Sequence, residues 1–143
     1  MGSRFVIDTY AWVEYLLGSE AGVKVRKYIE GETCLTPSIV VAELRRWYLR
    51  EIEAGRRSDR EMRIHFGFFE SATEIVPLDA SLALKAGETD FLMKKRIKNW
   101  PLADSIIYAT ARSRAAQLVS GDPHFKDLED VIFIETTAGR CRP

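Results

Sequence analysis

Phe5-Val6-Ile7-Asp8 is a compact apolar run that stops on a carboxylate. Four more short runs follow it along the chain. They are Thr33-Cys34-Leu35-Thr36 before Pro37, Glu74-Ile75-Val76-Pro77-Leu78 before Asp79, Gln117-Leu118-Val119-Ser120 before Gly121-Asp122-Pro123, and Val131-Ile132-Phe133-Ile134. The runs are apolar throughout instead of alternating, which is the pattern of strands buried on both faces. Longer stretches at helical spacing separate them. Trp12, Leu16 and Leu17 share one face, and Val23, Lys27 and Tyr28 continue a second short helix. Ile39, Val40, Glu43, Leu44 and Trp47 repeat from Pro37, a residue suited to a first helical turn. Ser58-Asp59-Arg60-Glu61 is a capping box ahead of Met62, Phe66 and Phe69. Asp79 is a good N-cap for a helix carrying Leu82, Ala86, Met93 and Ile97, and Pro101 starts a small-residue helix through Ala111.

Strands separated by helices predict parallel pairing through right-handed crossovers. The expected fold is α/β, a three-layer α/β/α sandwich with a short, mainly parallel central sheet. No repeat, low-complexity tract or Pro/Gly/Ser-rich linker divides the sequence, so residues 1–143 read as a single domain.

Composition narrows the function classes. The chain has 143 residues, 46% hydrophobic and 29% charged, enough to bury a real core. Its 21 basic side chains balance 21 acidic ones, which argues against a surface that is basic overall but leaves room for a local basic strip. Two cysteines, Cys34 and Cys141, are too few for a disulfide framework or a zinc cage. No apolar run approaches the roughly 20 residues that cross a bilayer, and no signal peptide opens the chain, so the expected compartment is the cytoplasm.

In an open parallel sheet the reactive crevice lies beyond the carboxyl ends of the strands. Four acids fall there. Asp8 ends the first strand, Asp122 follows the fourth, Asp104 lies in the first turn of the helix near Pro101, and Glu43 sits two turns into the helix after the second strand. Each has a plain structural explanation: Asp8 as an N-cap, Asp122 in an Asx turn, Asp104 against a helix dipole, Glu43 in solvent beside Arg46. Together they suggest more. Clustered carboxylates repel unless a cation neutralises them, and hard oxygen ligands select Mg²⁺ or Mn²⁺. Such a centre suits hydrolysis of a phosphodiester.

Asp8-Thr9 with Trp12, Ser38 to Glu43, Pro101-Leu102-Ala103-Asp104 with Ile107 and Ala109 to Ala111, and Ser120-Gly121-Asp122 with Phe125 resemble the PIN-domain ribonucleases. The closest subgroup by this resemblance is the VapC-type toxins of toxin–antitoxin pairs. The likeness runs end to end, and Leu102 to Ala111 is its most specific part. It implies a four-carboxylate Mg²⁺ or Mn²⁺ site made of Asp8, Glu43, Asp104 and Asp122, with the Thr9 and Ser120 hydroxyls orienting acids or water. It also implies RNA as substrate, a homodimer, and inhibition by a small antitoxin protein. Two departures stand out: His124 takes a position where many relatives carry a second acid, and Gly121 one where polar residues are common. The alternatives are a free-standing nuclease for RNA processing and a non-catalytic RNA-binding module.

Other signals carry less. His65 and His124 are the only histidines and read as structural or surface residues, with a phosphate or water contact as a minor role for His124. There is no Walker loop, no Gly-x-Gly-x-x-Gly and no Gly-x-Ser-x-Gly elbow. Arg45, Arg46, Arg50, Arg56, Arg57, Arg60 and Arg63, and the cluster from Lys94 to Lys98, read either as solvated helix faces or as a basic rim for RNA. Trp47, Tyr48, Phe66, Phe68 and Phe69 are expected in the core, with any exposed remainder forming a dimer seam or an antitoxin groove.

Overall fold

Val6 and Ile7 are neighbours in β1 (Arg4–Ile7), point to opposite faces of the sheet, and are both fully buried. A strand with both faces covered lies inside a layered stack. The computed structural model describes residues 2–31 and 33–135; Cys141 lies outside them. After β1 come α1 (Thr9–Leu17), α2 (Glu20–Ile29), β2 (Thr33–Pro37), α3 (Ser38–Glu53) and α4 (Asp59–Ala72). β3 (Glu74–Val76), α5 (Ala80–Arg96), α6 (Leu102–Ser113), β4 (Gln117–Ser120), a 3₁₀ turn over Pro123–Phe125 and β5 (Val131–Phe133) complete the order.

The helices start where side chains satisfy their first amides. Asp8 Oδ1 accepts the Ala11 N–H at 2.9 Å, Ser58 Oγ that of Glu61 at 3.1 Å, and Asp79 Oδ1 that of Leu82 at 2.9 Å. Pro37 and Pro101 stand one residue outside the first turns expected of them, each as the extended residue before its helix. α1 closes on Gly18, whose φ of 67° is the left-handed geometry that glycine adopts without strain. α2 turns back so tightly that a Cβ on Gly22 would lie 2.1 Å from the Glu14 carbonyl oxygen.

The five strands are all parallel, in the order β3-β2-β1-β4-β5. Val6 stands in register with Leu35 on one side and Leu118 on the other. The chain builds outward from β1 to β3, then crosses back to place β4 on the other flank of β1. Right-handed crossovers therefore put α1 to α4 on one face and α5 with α6 on the other. α1 packs on α2 and α3, and α5 on α6, as that arrangement requires. This is the expected α/β/α sandwich. Its direction of travel reverses between β1 and β4, the place where such sheets open a crevice at their carboxyl ends.

Packing bears out the core expectation for two of the aromatic residues and corrects others. Tyr48 and Phe69 are fully buried, in a run of edge-on aromatic contacts from Trp47 through Tyr48, Phe66 and Phe69 to Trp12. They belong to the core and offer nothing to a partner; only Phe68 of the set is clearly exposed. On α2 the buried face is Ala21, Gly22, Val25 and Ile29, while Val23 points outward. β3 buries only Val76, because an edge strand is covered on fewer sides than a central one. Among the described residues, no helix is long and apolar enough to cross a membrane.

Candidate active site

The ends of β1 and β4 are tied together by one serine. Ser120 Oγ, fully buried, donates a short hydrogen bond to Asp8 Oδ2 and accepts the Asp122 N–H at 2.9 Å. Both acids are buried. Gly121 stands between the serine and Asp122 because the Tyr10 ring passes close by: a Cβ there would sit 2.3 Å from Tyr10 Cε1. The glycine noted as a departure thus has a packing cause.

Asp104 is fully buried in the first turn of α6. The next residue braces that turn: Trp100 Nε1 donates to Ser105 Oγ at 2.6 Å, and Ser105 Oγ donates to Asp90 Oδ1 on α5 at 3.0 Å. Across the crevice, Asp122 caps the 3₁₀ turn by accepting the His124 N–H at 3.0 Å. The turn folds the imidazole back, with Nδ1 2.8 Å from Asp104 Oδ2 and 3.6 Å from Asp122 Oδ1. One donor atom from each of Asp104, Asp122 and His124 lies within 4.8 Å of the others.

Burial pushes the Asp8 carboxyl up to about 7; the bonds from Ser120 and Ala11 oppose this, and the charges of Asp122 and Asp104 add to it. Three aspartates therefore share one buried, mutually repelling environment. Glu43 stands outside that group. It is held by Thr9 Oγ1, which donates to Oε1 at 2.6 Å, and has Arg46 3.9 Å away as an exposed i,i+3 neighbour. Both the inward and the solvent-side expectations for Glu43 thus describe part of its surroundings.

His124 is the residue that sequence reasoning undervalued. The proline between it and Asp122 signals a tight turn, though not the element that the turn faces. His65 fits its structural reading, packed on Tyr48 with a short hydrogen bond to the Tyr48 hydroxyl, and burial lowers its pKa.

The donor set fits a divalent cation. Concentrated anionic oxygen in a buried pocket needs a compensating charge, and carboxylates with one imidazole are ordinary ligands for such ions. The basic residues divide into two kinds. Arg56, Arg57, Arg63 and Lys94 pair with Glu51, Glu61, Asp59 and Asp90, the first two from the α3–α4 connection and the others along helix faces. Arg45, Arg46 and Arg50 line an open groove on α3 with Ala42, Leu49 and Glu53, Arg46 being also the neighbour of Glu43.

Solved structures share this architecture. A toxin–antitoxin complex from Klebsiella pneumoniae has a chain similar to this one at 16% identity and a TM-score of 0.70, covering 92% of this chain and 98% of that one. A chain of VapBC2 from Rickettsia felis, crystallised with a DNA fragment from their promoter, gives 20% identity and a TM-score of 0.67 over 91% and 96%. VapC20 of Mycobacterium tuberculosis, described as a sarcin–ricin loop cleaving toxin, gives 18% and 0.57 over 80% and 85%. At such identities the likeness is one of fold. No curated protein matches by sequence alone. The family model of the PIN domain matches residues 5–131.

Proposed function

The chain belongs to the PIN domain family, and from that premise we propose that it is a metal-dependent endoribonuclease, the toxin of a toxin–antitoxin pair acting in the cytoplasm. The single observation that carries this reading is the buried group of Asp8, Asp104 and Asp122 at the β1–β4 crevice. We read residues 1–143 as one nuclease domain. Asp8, Asp104 and Asp122 would hold Mg²⁺ or Mn²⁺, with Glu43 as a further acid reaching the ion directly or through water. When bound, a divalent cation supplies positive charge for the phosphoryl oxygens and makes water a stronger acid.

The rest of the chemistry belongs to this chain's own groups. Ser120 Oγ–H holds its proton against Asp8 Oδ2, and the Ala11 amide occupies one direction at Oδ1. Each carboxylate oxygen has two acceptor sites, so each keeps one beyond these bonds. Thr9 fixes the Glu43 carboxylate at the rim. The Trp100–Ser105–Asp90 brace keeps the α6 turn, and Asp104 with it, from swinging outward. An acidic pocket repels a polyanion, and the arginines along α3 offset this by tracking the backbone of a single strand.

RNA as substrate is supported by the fold shared with the sarcin–ricin loop cleaving toxin. A small antitoxin partner is supported by the fold shared with the toxin–antitoxin complexes. Val23, Ile64 and Phe68 are exposed along a groove between α2 and α4 that suits an amphipathic helix. Leu84, Phe91 and Leu92 leave an apolar face on α5 that suits a homodimer.

Incubation of the purified chain with a mixed RNA pool tests the reading. Cleavage is expected with Mg²⁺ or Mn²⁺ and none with a chelator. Asp104→Asn is expected to lose more than about a hundredfold in rate with its circular dichroism unchanged. Cleavage by Asp104→Asn near the wild-type rate would overturn the assignment.

A further inference from the structure

We propose that His124 is itself a metal ligand in this chain, through Nδ1, and that its nitrogen makes the centre select Mn²⁺ over Mg²⁺. The proposal rests on the metal-dependent reading above but goes beyond it, since that reading needs only the acids.

The geometry supports a shared ion. Two donors at right angles around an ion about 2.1 Å from each lie about 3.0 Å apart, and at 120° about 3.6 Å. The imidazole Nδ1 is 2.8 Å from Asp104 Oδ2 and 3.6 Å from Asp122 Oδ1. Those separations place the nitrogen where a third donor to one ion belongs. The ring is also held in place. Its own backbone N–H is bound by Asp122, and the buried Trp100 ring lies 6.1 Å from it, centre to centre. Trp100 is fixed in turn by Ser105, the residue next to Asp104. The same brace therefore orients one carboxylate and the imidazole facing it, which is the preorganisation a metal site needs.

Chemistry supplies the selectivity. Mg²⁺ prefers oxygen and demands near-ideal octahedral geometry, whereas imidazole nitrogen favours first-row transition ions. Replacing one oxygen donor by nitrogen therefore weakens Mg²⁺ relative to Mn²⁺. The competing role for His124 is that of a positioning residue, whose Nδ1–H only steadies Asp104. The two roles differ in what Nδ1 presents to the ion: a lone pair in the first, a proton already given to the carboxylate in the second.

Mn²⁺ alone, added to the purified full chain, separates them without any turnover. Pulsed electron paramagnetic resonance should detect coupling from a directly bound ¹⁴N in the wild type. That coupling should persist in His65→Asn, the chain's other histidine, and vanish in His124→Asp. Calorimetric titration should show Mn²⁺ binding at least about tenfold more tightly than Mg²⁺, with the ratio shrinking about tenfold in His124→Asp. Should His124→Asp fail to fold, the wild-type and His65→Asn spectra decide the matter. Bound Mn²⁺ without nitrogen coupling, but still lost in Asp104→Asn, would overturn the role of His124 and leave the metal-dependent reading standing. Binding of neither ion to the wild type would overturn both.

Discussion

Thr9 Oγ1 donates to Glu43 Oε1 at 2.6 Å, joining the first turn of α1 to α3. Thr9 follows Asp8 directly in the chain, so one peptide links the acid at the end of β1 to the residue that holds Glu43. Thr9→Val keeps the branched shape and removes the donor. Its expected effect is a loss of about tenfold in cleavage rate, equivalent to about 1.4 kcal/mol, in line with a bond to a charged group. Steady-state kinetics beside thermal melting checks this; the melting temperature should move little, since Glu43 reaches solvent.

The pH dependence of the metal-free protein follows from Asp8. Its carboxyl titrates near 7 when folded and near 3.8 when unfolded. Between those values the folded protein holds a proton that the unfolded chain has released. Stability therefore falls as pH rises from about 4 to 7, by an amount on the order of a few kcal/mol. Melting in chelator at pH 5 and pH 8 should show the lower temperature at pH 8. Asp8→Asn should melt higher at pH 8 than the wild type and flatten the difference.

Gly121→Ala places a methyl group against the Tyr10 ring, at 2.3 Å from Cε1 and 2.8 Å from Cδ1. Tyr10 is buried, so the ring or the strand end must move. Overpacking of this kind costs about 1–3 kcal/mol, measurable by urea unfolding. Pairing it with Tyr10→Leu should recover part of the loss, which a purely local backbone effect at residue 121 would not allow.

Arg45, Arg46 and Arg50 line one groove on the helix that carries Glu43. Changing all three to Gln should raise the KM for RNA with little change in kcat. The dependence of log affinity on log salt should become shallower by roughly 0.7 for each phosphate contact removed. Arg56, Arg57 and Arg63, each paired with a nearby acid, serve as the matched set and should leave both values unchanged.

Much of the sandwich was legible because apolar runs and caps are local signals. Ser58 and Asp79 each accept the amide that their position in the sequence implied, and the five short runs are the five strands. Strand order is not local, and that is why β3 looked like an inner strand: nothing within Glu74-Ile75-Val76 says that it ends at an edge. Helical periodicity likewise marks a face without naming its neighbour. The spacing of Tyr48 and Phe69 put them in the core, but not which rings would cover them, Phe66 for Tyr48 and Trp12 with Phe66 for Phe69. The acids at strand ends could be picked out one at a time. The approach of His124 to Asp104, twenty residues away, depends on how a 3₁₀ turn faces α6, and no spacing rule encodes that.

The placement of β4 beside β1 has a consequence for how the molecule comes into being. Ser120 and Asp8, bonded to each other, are separated by 112 positions in sequence. A ribosome makes the chain from its N-terminus, at about 5–20 residues per second. While it does so, Asp8 and Glu43 have long emerged but the serine and Asp122 that complete the crevice have not. β1 also has β2 on one side only until β4 arrives. Under the proposed function, the crevice is incomplete until β4 has been made, and a fragment released before Ser120 is expected not to cut. On that reading the order of strands acts as a timer, holding the growing chain inactive until its crevice is complete.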